Sequence, residues 1–452
     1  LLHVSGQEDE AGLALLEAVR IRPSYSEAHE LLAEIYEKRG RVDLRDRHLE
    51  LMAKARQASS ATTPDEHVRQ AIGFRLNRNY IQAREELEKA LSMEPRNTKA
   101  LFELGVVYQE MEETDRALNT FQSILKLPAA PVETYNRISN ILFQQEDRQG
   151  AIDLLRHAVN QTPDDPKLHY YLGNAYRKQK TDGKAIESYI RSIQLDTDMA
   201  EPHFNLGMIY LNRKQVNDAI LQFREVVRIR PEDYETYLFL GRAYMRNNQV
   251  DRAVAALEEA ISLKADFLEA RLLLGEIYLR QAEPERAIEQ LLVVQTYNPN
   301  DLRARELMGK AYAQAGQLDR AIETFQDIIA VAPDSVSAHY NLGVSYVSQK
   351  RYRDAISEFA AVIQNKPDDA DAYFNMGVSI HELLNGPEQT SLEASQVDVY
   401  FNQEVEAFRR AIQLRPTYPE PFRYLGQLFL RINNSEEAMK YLNEYNRLKR
   451  QA

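Results

Sequence analysis

Cysteine is missing from all 452 residues, and with it go disulfides, thiolate metal sites and cysteine nucleophiles. That absence suits a reducing or an oxidising compartment equally. No stretch approaches the run of about 18 apolar residues that a membrane span needs, and the N-terminus lacks a charged-then-apolar signal pattern. Glycine is sparse, at 17 residues, and forms neither a phosphate loop nor a dinucleotide fingerprint. The basic side is in deficit: 56 Lys and Arg against 68 Asp and Glu give a net charge of -12, which argues against a nucleic-acid binder. What is present, 44% hydrophobic and 27% charged residues, is the balance of a folded soluble chain. Because the first residue is Leu1 and not Met, native sequence is expected to precede it. The cytoplasm is the favoured setting, with a periplasmic or N-terminally anchored one left open.

The glycines keep a register. Gly105, Gly173, Gly207, Gly241, Gly275, Gly309, Gly343 and Gly377 are separated by 34 residues or its double, with Ser139 in the one vacancy. Twelve residues later come Ala117, Ala151, Ala185, Ala219, Ala253, Ala287, Ala321 and Ala355, and unit ends are marked by Pro163, Pro231, Pro299, Pro333 and Pro367. Large residues lie beside the glycines: Leu104, Leu172, Leu206, Leu240, Leu274, Met308, Leu342 and Met376 just before, and Tyr108, Tyr176, Tyr210, Tyr244, Tyr278, Tyr312 and Tyr346 three residues after. Steps of three and four put these on one helical face, where a glycine lets a second helix approach closely. The second helix carries the alanine, then Phe121, Tyr189, Phe223, Phe325 or Phe359 four residues on. Proline ends each pair, and the acids after it, as in Pro163-Asp164-Asp165 and Pro367-Asp368-Asp369, are placed to cap the next helix.

Leu-Gly, Tyr, Ala, Phe and Pro at these offsets resemble the tetratricopeptide repeat, a 34-residue helix pair. The resemblance covers nearly the whole chain and implies an all-α, right-handed α-α superhelix of about twelve repeats. First helices are expected near residues 26, 66, 98, 132, 166, 200, 234, 268, 302, 336, 370 and 419. The family's tryptophan position holds Leu101, Tyr135, His169, His203, Tyr237, Arg271, Arg305, His339 and Tyr373 here. Residues 1–57 read as a half-repeat and first repeat, 58–65 as a joint and 66–369 as the regular array. Residues 370–418 read as a repeat with a 15-residue inserted loop around Leu383 to Val399, because Gly377 and Gly426 are 49 apart, and 419–452 as the last repeat. The leading helix leaves Leu13, Leu15, Leu16, Val19 and Ile21 in need of a cover, expected from upstream sequence or a partner.

No catalytic constellation emerges, and no metal site or cofactor is expected. Four of the nine histidines, His29, His169, His203 and His339, share one packed repeat position and read as structural. The acids after the prolines read as caps.

Positions 2, 5, 9 and 12 of each first helix form a second face, which in the resembled family lines a concave groove for peptides or partner helices. Position 5 reads Phe102, Asn136, Tyr170, Phe204, Leu238, Leu272, Glu306, Tyr340 and Phe374, too apolar for a solvated face. Nearby positions add Met208, Leu211 and Met245 with the cations Lys167, Arg177, Lys178, Arg242, Arg246, Arg280, Arg303 and Lys310. The expectation is a non-catalytic scaffold that receives protein segments with acidic and hydrophobic side chains within a larger complex, without nucleic acid or membrane insertion. The alternatives are the regulatory arm of an enzyme such as a glycosyltransferase, or a cochaperone. The family's carboxylate clamp matches only at Asn174 and Asn205, with Tyr170, Glu235 and Phe239 at its other positions, which disfavours the cochaperone.

Overall fold

The computed structural model describes residues 8–451 except 22, 24, 60–62 and 129. Among the described residues there are 25 α-helices, one 3-10 turn and no strand. A lone helix, Glu8–Ile21, precedes twelve antiparallel pairs whose first helices start at Ser26, Pro64, Thr98, Val132, Pro166, Ala200, Tyr234, Leu268, Leu302, Val336, Ala370 and Pro419. The all-α repeat architecture is therefore the expected one. The expected joint 58–65 falls partly on residues 60–62, outside the described residues; within it one helix ends at Ser59, and Thr63 caps the next, which starts at Pro64, with a capping box closed by Glu66.

The chain forms two compact units, Leu1–Thr197 and Asp198–Ala452. In the first, buried residues from Val68 to Val107 make one core cluster and residues from Val106 to Ile141 another. In the second, a single buried cluster runs from Leu211 to Ala311 and further ones follow it to Ala438.

Local chemistry explains each boundary. Asp165, Asp233, Asp301 and Asp369 accept from the backbone N–H three residues on, at 3.0 to 3.2 Å, so the post-proline acids do cap helices. First helices close by a six-to-one backbone hydrogen bond, for example Thr181 N–H to Tyr176 C=O at 2.9 Å. The residue before it adopts φ near +60°, as at Lys180 and Ala282, which is the left-handed stop of a Schellman end. One second helix is short: Thr114–Ile124 has 11 residues where its neighbours have 14, because Pro128 brings its end forward.

The glycine column packs against the second helix. A Cβ on Gly105, Gly207 or Gly309 would lie 2.6 Å from Phe121, Phe223 or Phe325, all fully buried. Where the column holds Ala71 or Ser139, the facing position holds Leu87 or Leu155.

The family's tryptophan position does different work here. His29, His169 and His339 donate from Nε2 to the carbonyls of Pro23, Pro163 and Pro333, and Arg271 and Arg305 reach Ala265 and Pro299 in the same way. Each tie runs six residues back and fastens the turn between repeats. A second tie runs nineteen residues forward into the partner helix: His29 to His48, His67 to Glu86, His203 to Gln222, Arg271 to Gln290 and His339 to Glu358, at 2.5 to 2.9 Å. These histidines are structural hydrogen-bonders, as the sequence suggested.

The inserted stretch is not a protruding loop. The first helix of that repeat runs on through Leu383 and Leu384, both buried, to Asn385; a 3-10 turn spans Pro387–Ser391, and the second helix starts early and covers Ala394–Leu414. Gly386-Pro387 starts a break of eight residues between the two helices; Leu383 and Leu384 before it are buried, whereas Val399 after it is exposed. In the lengthened helix Glu404 occupies the alanine column, fully buried, with Oε1 2.7 Å from His381 Nδ1 and Oε2 without a partner.

Candidate partner-binding face

The first-helix positions singled out in the sequence do not all reach a surface. In the second unit Leu211, Leu238 and Leu272 are buried to 9% exposure or less and belong to the continuous core, where they bridge repeats. Phe204, Met208, Met245, Tyr340 and Phe374 remain half-buried beside them. Phe204 is braced by Phe223 and Phe239, with ring centroids 5.9 and 5.4 Å away, and Phe374 by Phe408, Tyr418 and Tyr424. The Tyr340 hydroxyl accepts from Asn375 Nδ2 at 2.8 Å, and burial followed by the nearby Asp371 raises its pKa. Braced aromatics of this kind offer apolar area at little cost in side-chain entropy.

The cations between these rungs are largely engaged already. Arg242 pairs with Glu269, and Glu276 takes both Arg280 and Arg303 at 3.1 Å. Lys310 meets Glu306 at 2.5 Å. Burial works to raise the Glu306 carboxyl, but hydrogen bonds from Lys310 and Ser337 outweigh it and hold the group below its ordinary value. Arg246 is exposed and donates to the Leu211 carbonyl at 3.2 Å. The five cations share this face with Glu269, Glu276 and Glu306, and position 2 of the neighbouring first helices adds Glu201, Glu235 and Asp371, so the face is of mixed sign.

In the first unit Lys167 is exposed and paired with Glu133 at 2.7 Å. Tyr170 is half-buried against Tyr171 and Tyr189. Lys178 donates to Asn140 Oδ1 and lies 5.3 Å over the Phe143 ring; burial there, then the neighbouring Arg177, lowers its pKa. Arg177 is exposed.

Sequence reasoning named Glu306 on this face but missed Glu269 and Glu276. Glu276 with Arg280 is an i, i+4 pair that spacing alone would reveal. Arg303 with Glu276 is visible only once the repeats are stacked in register.

Stacked helix pairs of this 34-residue repeat form a module for protein interaction. The chain is a tetratricopeptide repeat protein. The model described as the cytochrome c-type biogenesis protein H TPR domain matches residues 205–338, and tetratricopeptide repeat models match 307–379, 75–130, 140–180 and 173–213. Human protein O-mannosyl-transferase TMTC1 is 29% identical over 121 residues, which are 26% of this chain and 14% of that protein. The Drosophila melanogaster BBSome complex member BBS4 homolog is 26% identical over 132 residues, 29% of this chain and 27% of that protein. The matched segment thus spans a minor part of each relative's length. Among solved structures, YrrB, a TPR protein with an unusual peptide-binding site, is 22% identical with a TM-score of 0.39, covering 42% of this chain and 97% of that one. No helix among the described residues is long and apolar enough to cross a membrane.

Proposed function

We propose that the chain is a non-catalytic adaptor that takes up segments of partner proteins on the first-helix face of its second unit and so helps organise a multiprotein assembly. The observation that carries this reading is the row Phe204, Met208, Met245, Tyr340 and Phe374, half-buried and flanked by the cations Arg242, Arg246, Arg280, Arg303 and Lys310 interspersed with carboxylates. Repeat packing alone does not require that charge. Partner segments with apolar anchors and acidic side chains suit it: the anchors supply affinity, and the acids supply orientation and on-rate. Lys167, Tyr170, Arg177 and Lys178 give the first unit a smaller face of the same kind.

Reversing Arg242, Arg246 and Arg280 to glutamate tests this. Exposed ion pairs contribute about 0 to 1 kcal/mol each, so helicity and melting should hardly move while capture of the native partner falls sharply at low salt. Full capture at low and high salt by a folded triple variant removes this face from consideration.

A second reading, the regulatory arm of a larger transferase, is favoured by the match to the human mannosyl-transferase. Intact-mass analysis of the native polypeptide separates the two, since a further domain beyond Ala452 supports the enzyme arm.

A further inference from the structure

The forward tie is made in some repeats and missing from others, among them the one that begins at Val132, where Leu154 stands opposite Tyr135, and the one that begins at Tyr234. In the repeat that begins at Tyr234, the tryptophan position is Tyr237 and the residue nineteen positions on is Ala256, which carries no polar group to meet it. A second column changes at the same level. Arg286 and Arg320 lie 4.0 and 5.4 Å over the rings of Tyr278 and Tyr312, eight residues before each. Arg252 of that column instead donates to Gln249 and, with Tyr244, lines an open pocket of about 530 Å³. The other walls are Tyr237, Ala256, Glu259 and, from the preceding repeat, Arg224. No carboxylate pairs with Arg224 or Arg252 among the described residues, and the pocket shares no side chain with the candidate face above.

Its contents specify a ligand. Two guanidinium groups and two phenol hydroxyls are donors suited to an oxyanion, and the volume lies within the range of about 300 to 1,000 Å³ usual for ligand sites. Glu259 brings the local charge to +1, which is neutralised by one carboxylate and leaves a phosphoryl dianion with one charge unbalanced. Desolvation, then Glu259, raises the Tyr237 hydroxyl pKa, which keeps it a donor. We propose that this pocket is a second binding site, built by the Ala256 gap, that receives the carboxylate side chain of an acidic residue in a partner polypeptide.

Saturation-transfer NMR on the full chain, with N-acetyl-glutamate N-methylamide as probe, reads this site. The glutamine analogue and inorganic phosphate serve as controls. The expected result is a saturable response to the glutamate probe that is at least about tenfold weaker for the glutamine analogue and in Arg224→Gln or Arg252→Gln. Ala256→Gln, which restores the residue type of neighbouring repeats, should abolish it. The two arginine variants alter exposed side chains, so they keep the test decisive if Ala256→Gln does not fold. No saturable response, equal responses to the two amides, or unchanged binding by both arginine variants overturns the proposal. Displacement of the probe by phosphate at lower concentration than by unlabelled glutamate probe overturns the carboxylate assignment.

Discussion

Gly309→Ala isolates the contact on which each repeat is built. A Cβ there would lie 2.6 Å from Phe325 Cε1 and 2.7 Å from Cζ, and the ring is fully buried with no room to swing. Overpacking of this kind costs about 1 to 3 kcal/mol. Alanine also gains about 1 kcal/mol over glycine in a helix. The matched control is Gly73→Ala, on the helix Pro64–Leu76, where nothing lies within 4 Å of the added Cβ, so only the helix gain applies. Gly73→Ala should therefore stabilise by about 1 kcal/mol and Gly309→Ala should lose about 0 to 2 kcal/mol, a difference equal to the overpacking cost alone. The facing residue contributes to that cost: Ala71 and Ser139 occupy the glycine column opposite Leu87 and Leu155, and six glycines of the column face Phe or Tyr, although Gly241, Gly275 and Gly426 face Leu257, Leu291 and Leu442. Adding Phe325→Leu to Gly309→Ala should accordingly recover part of the loss in a double-mutant cycle. Urea unfolding followed by far-UV circular dichroism, with hydrogen exchange localised to Leu302–Gln314 and Leu318–Val331, measures each variant. Gly309→Ala as stabilising as Gly73→Ala, or no coupling to Phe325→Leu, refutes the reasoning.

Two further outcomes follow from buried ionisable groups. Glu404→Ala puts alanine back in its column but takes from His381 Nδ1 the carboxylate 2.7 Å away, so stability should fall by about 3 kcal/mol; unchanged or raised stability in the urea midpoint analysis contradicts this. His48, held at Nδ1 2.9 Å from His29 Nδ1 and stacked on Tyr36, has its pKa lowered from 6.5 by burial, then by His29 and Arg47. Its unfolded form binds a proton first, so its contribution is complete above pH 6.5 and is lost as the pH falls through the lowered value. Hydrogen exchange over Ser26–Lys38, corrected for intrinsic pH dependence, should accelerate below pH 6.5 in the wild type and not in His48→Gln; equal acceleration in both rules His48 out.

Much of the fold could be read directly because the repeat needs small residues at fixed offsets, and Gly105 through Gly377 display them. The capping role of Asp165 and Asp369 was legible for the same reason, being set by neighbours in sequence. Leu383 to Val399 was not: Gly386 and Pro387 mark a break, but whether a break ends a helix briefly or opens a loop depends on the packing of Leu383 and Leu384. The candidate face was half legible. Helical periodicity placed Phe204, Leu238 and Leu272 on one stripe, yet only the close approach of the next repeat decides that Leu238 and Leu272 are buried and Phe204 is not. Charges were least legible, because Arg242 with Glu269 and Arg303 with Glu276 join residues of successive repeats.

Site-specific photo-crosslinking compares faces within one unit and tests the central claim most directly. A benzophenone side chain replaces Met208 or Met245 on the first-helix face, or Leu221 or Leu292, which are 55% and 46% exposed on second helices. In the native extract, partner adducts are expected from Met208 and Met245 and should weaken in the Arg242, Arg246, Arg280 charge reversal. Adducts from Leu221 and Leu292 alone, or equal yields from all four sites, contradict binding on the first-helix face.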